Sequence, residues 1–255
     1  MPDVVFSVDA GVACITINRP GKRNTLTGQT IRELRQCLQK AEEDDAARVV
    51  ALTGAGEQVF CAGLDLRSTL SSAAEEQKVR PADYRNLLLE ITGFPKPTVT
   101  LVRGHVLGGG IGIVLASDLC IACDDVHFST PEIQVGMFPM MVLGLLYRNV
   151  GRKKATEMMF LGESITAAQA REYGIINHAC SRDRFDEASG ELLQKLSAKS
   201  PTILALGKKA ISRFLDEKLA EEESFLESAL AEVMETEDSK EGIQVFLEKR
   251  RERFS

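Results

Sequence analysis

The chain is poor in several residue types, and each shortage narrows what it can be. It has no tryptophan, only three histidines and a net charge of −6, so we expect no nucleic-acid partner. No stretch reaches the roughly eighteen apolar residues that a membrane-spanning helix requires. No basic segment precedes an apolar one at the N-terminus, as a secretory signal would demand. We therefore expect a cytoplasmic protein, or an organelle protein whose transit segment is absent from this sequence, with no membrane partner.

The sequence gives little support for a metal site or for a redox-active pair of cysteines. The histidines and acidic residues form no cluster with metal-ligand spacing, so we expect no metal site. Cys120 and Cys123 stand in a C-x-x-C pattern, but residues three apart in a strand face opposite sides of the sheet. The cysteines lie mostly in apolar runs, which is typical of reduced, buried thiols: Cys14, Cys37, Cys61, Cys120, Cys123 and Cys180.

The chain does contain a regular alternation of apolar strands and amphipathic helices. Its 255 residues, 44% of them hydrophobic, suffice for one large core domain with or without a helical appendage. The β-rich runs Val4–Val8 and Val12–Ile17 predict a hairpin, and later strands alternate with helices as in parallel βαβ units. From Gly144 onward the pattern is almost wholly helical. We predict an α/β fold with a core at 1–195 and a helical segment at 196–255.

Two glycine-containing segments carry the strongest functional signal. Gly108, Gly109 and Gly110 stand directly before an apolar, helix-compatible run, and the segment Phe60–Leu66 precedes them in the chain. Two turns of this kind can each present a free backbone N–H, and two N–H groups aimed at one carbonyl oxygen form an oxyanion hole. The glycine run does not match the G-x-G-x-x-G of dinucleotide-binding folds, so NAD is not expected. The pair of motifs indicates carbonyl chemistry.

In order and spacing, these motifs resemble those of the crotonase superfamily, the enoyl-CoA hydratases and isomerases. The resemblance extends from Asn18–Asn24 to Phe246–Arg250, nearly the whole chain. It implies a spiral core of ββα units followed by helices that mediate trimerisation, and hence a homo-oligomer, either a trimer or a dimer of trimers. It also implies an acyl-CoA substrate. Coenzyme A would enter as part of that substrate, so no separate cofactor is expected.

The resemblance assigns three catalytic groups. The family's two oxyanion donors fall on the backbone N–H groups of Leu64 and Gly109, and its acid–base carboxylate falls on Glu132. The physics of the sequence agrees for Gly109, because an N–H at a helix start has no intrahelical partner and the helix dipole favours negative charge there. Glu132 stands in a stretch with few other charges. Its carboxylate should be desolvated, which raises its pKa towards a range useful for proton transfer.

One departure from the family pattern affects the expected reaction. Hydratases commonly carry a second glutamate three residues after the donor glycine, and here that position is Gly112. A glutamate at this position would lie beside the oxyanion hole and could hold a water. Syn addition of water uses two groups, whereas a double-bond shift needs one base that returns its proton two carbons away. The sequence therefore favours isomerisation, and Met140 and Met141 predict an apolar pocket wall that excludes water.

Three other functions remain open at this stage. The chain could be an enoyl-CoA hydratase that converts a 2-enoyl-CoA to a 3-hydroxyacyl-CoA, or an acyl-CoA thioester hydrolase that uses the same oxyanion hole. It could also be a non-catalytic protein that binds CoA thioesters. The polar segment 69–80 is expected to form a loop or frayed helix that shapes the acyl pocket.

The remaining assignments from the resemblance concern coenzyme A. Lys22 and Arg23 occupy the segment that lies near its phosphates. Phe246 and Lys249 match a pattern in which a C-terminal helix closes over the ligand, often from a neighbouring subunit. The adenine and pantetheine channel would be lined by residues of the first glycine segment: Cys61, Ala62, Leu64 and Leu66.

Overall fold

The structure is a computed structural model that describes residues 2–65, 78–215 and 219–252. The strands in these ranges are β1 (Val4–Asp9), β2 (Val12–Ile17), β3 (Val49–Gly54), β4 (Val59–Cys61), β5 (Thr98–Val102), β6 (His105–Leu107), β7 (Leu119–Cys123), β8 (His127–Ser129), β9 (Ile165–Thr166) and β10 (His178–Cys180). They form two sheets. The larger has the order β1-β2-β3-β5-β7-β10, and the smaller has the order β4-β6-β8-β9.

Helices alternate with these strands and then follow them. Their bounds are α1 (Gly28–Glu43), α2 (Pro81–Thr92), α3 (Gly109–Ala116), α4 (Met140–Asn149), α5 (Arg152–Leu161), α6 (Ala167–Glu172), α7 (Arg182–Ser197), α8 (Pro201–Leu215), α9 (Leu219–Glu235) and α10 (Glu237–Glu252). Two short 3₁₀ turns, Pro20–Lys22 and Pro131–Val135, complete the elements that the site uses. No helix in the described ranges is both long enough and apolar enough to cross a bilayer.

The larger sheet is antiparallel at one edge and parallel elsewhere. β1 and β2 form a hairpin whose turn residues, Ala10 and Gly11, have φ values of 46° and 83°. Two positive φ angles give the turn that matches the twist of the flanking strands. The pairs β2–β3, β3–β5, β5–β7 and β7–β10 are parallel. Each parallel pair needs a crossover, and these connections place the carboxyl ends of β3, β5 and β7 at a common edge.

Helix α1 shows how the sequence covers the sheet. The Thr27 hydroxyl oxygen accepts a hydrogen bond from the Thr30 amide at 3.1 Å and caps the first turn. Ile31, Leu34 and Leu38 recur at helical spacing and are buried in the core. Full burial of one such side chain stabilises the fold by about 1.5–3 kcal/mol.

The C-terminal helices fold back onto the core. Helix α9 packs on α4 and α2, and α10 packs on the turn Pro131–Val135. The contact of α10 is close because each side presents a glycine. A Cβ on Gly136 would lie 2.9 Å from the Ser239 Cα, and a Cβ on Gly242 would lie 2.7 Å from the carbonyl carbon of Val135. The last helix thus supports this turn directly.

The α/β fold class predicted from the sequence is confirmed. The predicted hairpin is present, whereas the region after Gly144 is less uniformly helical than predicted. The strands β9 and β10 interrupt this helical region. β9 pairs at the edge of the smaller sheet, and β10 pairs at the edge of the larger sheet. Two-residue and three-residue strands carry too little sequence for their alternation to be recognised. The division at 195–196 stays a prediction, and most of segment 69–80 lies outside the described residues.

Candidate active site

The first glycine segment places the Leu64 amide at the wall of a cavity. Leu26 and Leu64 form a parallel bridge, in which the Leu26 amide donates to the Gly63 carbonyl at 2.9 Å and the Asp65 amide donates to the Leu26 carbonyl at 2.8 Å. The residue between those two bonds turns its own N–H to the opposite side. Within the described ranges no backbone carbonyl accepts from the Leu64 amide. This N–H is therefore available to a ligand.

The loop before α1 fixes the position of this first segment. Arg23 and Asn24 both have φ of 53°, a left-handed backbone that is uncommon for residues other than glycine. The buried Asn24 amide holds it, donating to the carbonyls of Ala55 (3.0 Å) and Val59 (2.8 Å). The Arg23 carbonyl in turn accepts from the Ala62 amide at 3.1 Å. The strained turn thus links the basic segment to the segment that carries the Leu64 amide.

The second glycine segment places the Gly109 amide at the start of α3. Gly108 has φ 53° and ψ −125°, which glycine alone adopts readily, and its amide donates to the Ser129 carbonyl at 2.9 Å. The chain then enters the helix, where the Ile111 amide is bonded to the Gly108 carbonyl. No backbone carbonyl of the described residues accepts from Gly109. The positive end of the helix dipole adds to the electrostatic pull of this N–H on an anion.

The two glycine segments touch. A Cβ on Gly63, whose φ is 81°, would lie 2.8 Å from the Gly109 nitrogen and 3.2 Å from the Leu107 carbonyl oxygen. A real Cβ is not tolerated at the first of these distances, so the approach requires glycine at residue 63. The amides of Leu64 and Gly109 consequently belong to adjoining walls of one site. This arrangement suits two donors that converge on one oxygen.

The Glu132 carboxylate adjoins the second glycine segment. It is carried by the turn Pro131–Val135, and a Cβ on Gly108 would lie 2.9 Å from its Oε1. Its Oε2 is fully enclosed and has no hydrogen-bond partner among the described residues. Desolvation by burial raises the pKa of Glu132 to about 7, and a hydrogen bond from its own backbone amide offsets part of that effect. A carboxyl with this pKa can both accept and release a proton near neutral pH.

A cavity of about 440 Å³ brings these groups together. Its volume lies within the range of small-molecule sites. Among the described residues that line it, Glu132 is the one carboxylate and Arg23 the one cation. Much of the remaining wall is apolar and is formed by a run of residues after Glu132: Met137, Phe138, Met140, Met141 and Val142.

Most of the residues predicted for the site lie on this cavity. Leu64, Gly109 and Glu132 border it together with Ala62 and Arg23, and Phe246 reaches it from α10 of the same chain. The sequence comparison with the family left open which subunit would supply Phe246. In this structure Phe246 of the same chain borders the cavity.

Two predicted residues do not line the cavity with a side chain, and the side chains of two others lie outside what the structure describes. Lys22 is exposed on the turn that precedes Arg23. Cys61 is fully buried, because its side chain packs against Gly110 in the core, where a Cβ on that glycine would lie 3.0 Å from the Cys61 Cβ. Leu66 lies outside the described residues. Lys249 lies within α10, and its side chain is likewise outside the described part.

The expectation for Gly112 needs correction. A glutamate there was expected to lie beside the oxyanion hole, but the space is filled by the Tyr84 side chain. A Cβ on Gly112 would overlap the Tyr84 hydroxyl oxygen and would lie 3.0 Å from Cγ1 of Val142. Residue 112 does lie near Gly109 on α3, as the helical spacing predicts. The spacing gave no indication that Tyr84 of α2 packs against it.

Sequence reasoning also missed Tyr84, Asn24 and Leu230 as parts of the site. Tyr84 and Leu230 are apolar positions on amphipathic helices, and nothing in their spacing separates a cavity wall from ordinary core. Asn24 stands beside the quoted Lys22-Arg23 pair, and its buried hydrogen bonds could not be read from the pattern. The described residues contain no cluster of three His, Cys, Asp or Glu side chains placed to hold a metal.

Known proteins share this fold and much of this sequence. A family model described as enoyl-CoA hydratase/isomerase matches residues 7–255. The chain is 33% identical to mouse (Mus musculus) enoyl-CoA hydratase domain-containing protein 2, mitochondrial, over 96% of this chain and 84% of that protein. It is 29% identical to short-chain-enoyl-CoA hydratase of Clostridium acetobutylicum, over 98% of this chain and 96% of that protein.

Solved structures agree with the sequence comparisons. Carnitinyl-CoA hydratase from Mycobacterium avium superposes with a TM-score of 0.86 at 29% identity, covering 98% of this chain and 97% of that chain. Because the superposition covers nearly the whole chain, the likeness includes the elements that build the cavity. The chain therefore belongs to the enoyl-CoA hydratase/isomerase family of acyl-CoA enzymes.

Proposed function

We propose that this enzyme isomerises enoyl-CoA double bonds, with Glu132 as the proton shuttle. The carboxylate removes a proton from C2 of a 3-enoyl-CoA, and the electron pair of that C–H bond moves into the thioester to form a dienolate. The amides of Leu64 and Gly109 stabilise the negative oxygen. Glu132 then returns the proton to C4, which leaves a conjugated 2-enoyl-CoA. No water is consumed and no redox change occurs.

The observation that carries this proposal is the isolation of the carboxylate. Glu132 is the one acidic side chain on the described lining of the cavity, and its Oε2 is buried without a partner. A carboxylate oxygen kept free of hydrogen bonds can take a proton from one carbon of the substrate and return it to another. Syn hydration requires a second group that holds the water, and Gly112 has no side chain that could do so. The methionine-rich wall adds no N–H, hydroxyl or carboxylate side chain that would order a water.

Enoyl-CoA hydration is the second candidate, and the relatives support it. The Clostridium and Mycobacterium proteins are named as hydratases and cover nearly all of this chain. The two reactions share the oxyanion hole and differ in whether water reaches C3. A single panel of substrates separates them.

The test is to supply purified enzyme with 2-enoyl-CoA and 3-enoyl-CoA thioesters of several chain lengths. Conversion of the 3-enoyl substrate to the conjugated product without gain of water supports isomerisation. Rapid loss of the conjugated chromophore with formation of 3-hydroxyacyl-CoA supports hydration. Release of free thiol identifies a thioester hydrolase, and binding without turnover identifies a non-catalytic CoA-thioester-binding protein. Either of the last two outcomes contradicts the proposal.

The isomerisation rate should depend on pH in a defined direction. Glu132 must be ionised to take the C2 proton, and burial raises its pKa to about 7. We therefore expect kcat/KM for a 3-enoyl-CoA to rise with pH through about 7 and to level off above it. Initial rates between pH 5.5 and 8.5 in buffers of constant ionic strength measure this. A flat profile, or one that falls across the neutral range, would contradict a buried carboxylate base.

Coenzyme A is proposed to enter along the basic edge of the cavity. Arg23 lies on the cavity lining and Lys22 on the exposed turn beside it, which suits contacts with phosphate groups. Ala62 and Leu64 line the next part of the path, followed in sequence by Leu66. From the C-terminal helix we propose contacts by Phe246 and Lys249. A Cys61 contact would have to use its backbone, because its side chain is buried.

We also propose that the chain assembles with copies of itself, as a trimer or a dimer of trimers. Helix α8 is held to the core by an ion pair between Lys208 and Asp118, yet it leaves large apolar side chains uncovered. Phe214 is 85% exposed, and its neighbours on the helix are also exposed: Ile203, Leu206 and Ile211. An exposed apolar face of this kind marks an interaction surface. Sedimentation equilibrium should give three or six times the monomer mass, and a monomer would contradict the proposal.

A further inference from the structure

The side chain that fills the space beside Gly112 belongs to Tyr84 of α2. Tyr84 is 0% exposed, and its hydroxyl donates a hydrogen bond to the Gly109 carbonyl. A Cβ on Gly112 would overlap the hydroxyl oxygen, and it would also lie 3.2 Å from Cδ2 of Leu88. A protein interior is packed so closely that an added carbon atom at residue 112 requires neighbouring side chains to move. A side chain at residue 112 therefore requires the Tyr84 side chain to move.

The Tyr84 hydroxyl lies close to the reacting end of the cavity. A Cβ on Gly109 would lie 3.3 Å from this oxygen and 3.5 Å from the Gly63 Cα. The hydroxyl therefore adjoins Gly109, which in turn contacts Gly63, and Tyr84 and Glu132 border the same cavity. A water or side chain in the place of the hydroxyl would lie beside the second glycine segment of that cavity.

A tyrosine hydroxyl at this position takes the place of a water. Its oxygen occupies about the space of one water molecule, and it satisfies the Gly109 carbonyl as an ordered water would. With the hydroxyl removed, that carbonyl becomes an acceptor that can hold a water at the edge of the cavity. The tyrosine ring closes the rest of the volume between α2 and α3.

We propose that Tyr84 is the specificity-determining residue that withholds water, and any second acid–base side chain, from the reacting carbons. This inference rests on the proposed isomerisation. Tyr84 acts by occupying space and bonding the Gly109 carbonyl, so it is a positioning residue that leaves proton transfer to Glu132. The glycine at residue 112 and the tyrosine at residue 84 then act together, since both keep water and a second carboxylate away from the reacting carbons.

The first test is Tyr84→Phe, which removes only the hydroxyl. The readout is the ratio of two initial rates, hydration of a 2-enoyl-CoA and isomerisation of a 3-enoyl-CoA. We expect this ratio to rise about tenfold, below the 10²–10⁴-fold that a positioned acid–base group typically supplies. Tyr147→Phe is the matched control, because Tyr147 is exposed, its hydroxyl bonds that of Thr156, and neither residue lines the cavity. The control should keep the wild-type ratio.

The second test examines the pairing of the two residues through stability. Gly112→Ala should lower Tm strongly in the tyrosine background, since the new Cβ overlaps the hydroxyl, and less in the Tyr84→Phe background. An equal loss in both backgrounds, or no loss in the first, overturns the inference. This measurement needs no activity and remains informative if Tyr84→Phe is poorly folded, because Gly112→Ala alone already tests the overlap.

The outcomes separate this inference from the proposed function. A wild-type enzyme that does not convert 3-enoyl-CoA refutes the proposed isomerisation, whatever the Tyr84 variants do. An enzyme that isomerises, and whose Tyr84→Phe variant keeps the wild-type ratio of hydration to isomerisation, overturns the role of Tyr84 alone.

Discussion

Replacing Glu132 with glutamine should reduce kcat for 3-enoyl-CoA isomerisation by about 10²–10⁴-fold, the contribution of a positioned acid–base group. The amide has the shape of the carboxyl group but cannot take up and return the C2 proton. Product affinity should stay near wild type, because the cavity walls and the two amides are unchanged. Steady-state rates together with calorimetric titration of 2-enoyl-CoA measure both quantities.

Glu157→Gln is the matched control, since Glu157 is exposed on α5 and pairs with Lys154 away from the cavity. It should leave kcat unchanged. A Glu132→Gln enzyme that turns over at the wild-type rate would remove this carboxyl from the mechanism. A variant that fails to bind product would show that the carboxyl has a structural role.

The Glu132→Gln substitution should also change how Tm depends on pH. The pKa of Glu132 is about 7 in the folded protein against an ordinary value of 4.5, so folding favours the protonated form. That contribution is fully present below about pH 4.5 and is lost as pH rises through about 7. The Tm of Glu132→Gln relative to wild type should therefore increase between pH 5 and pH 8. A difference in Tm that is constant with pH would argue against burial as the cause of the raised pKa.

Replacing Gly63 with alanine should lower kcat by about 10²–10³-fold, the usual effect of losing one oxyanion donor. The new Cβ would lie 2.8 Å from the Gly109 nitrogen, so the two glycine segments must move apart and their amides can no longer converge. The substitution acts on transition-state stabilisation, and KM should change much less than kcat. Rates with one enoyl-CoA at saturating and limiting concentrations separate the two parameters.

Gly56→Ala provides the control for backbone strain. Gly56 has φ of 82°, nearly the same as the 81° of Gly63, but the nearest atom to a Cβ there is Cβ of Pro20 at 3.6 Å. Both alanines suffer the left-handed backbone, and only the one at residue 63 obstructs an amide. If both variants lose kcat equally, strain rather than the oxyanion hole would account for the loss at residue 63.

Much of the fold could be predicted because local sequence and global structure agree. The hairpin follows from two β-rich runs around Ala10 and Gly11, and α1 follows from its Thr27 cap and apolar spacing. The short strands β9 and β10 could not be predicted in the same way. Their formation depends on the edges of sheets that other parts of the chain have already built.

The candidate site likewise contains some features that local sequence predicts and others that it does not. Gly108 and Gly109 could be recognised because a left-handed residue before a helix start demands glycine in the sequence itself. The contact of Tyr84 with Gly112 joins two helices and leaves no local signature. Cys61 was expected on the ligand channel from its place in a motif, whereas strand geometry turns its side chain into the core. Motifs thus predicted residues that border the cavity, and packing determines which of their side chains reach it.

The most direct test of the central claim follows a proton within the substrate. A 3-enoyl-CoA labelled with deuterium at C2 is converted in ordinary water, and the product is analysed for the position of the label. One buried carboxyl that serves both carbons predicts a 2-enoyl-CoA with deuterium at C4 above the solvent background. A C4 hydrogen drawn entirely from solvent, or a 3-hydroxyacyl-CoA as the first product, would contradict the account.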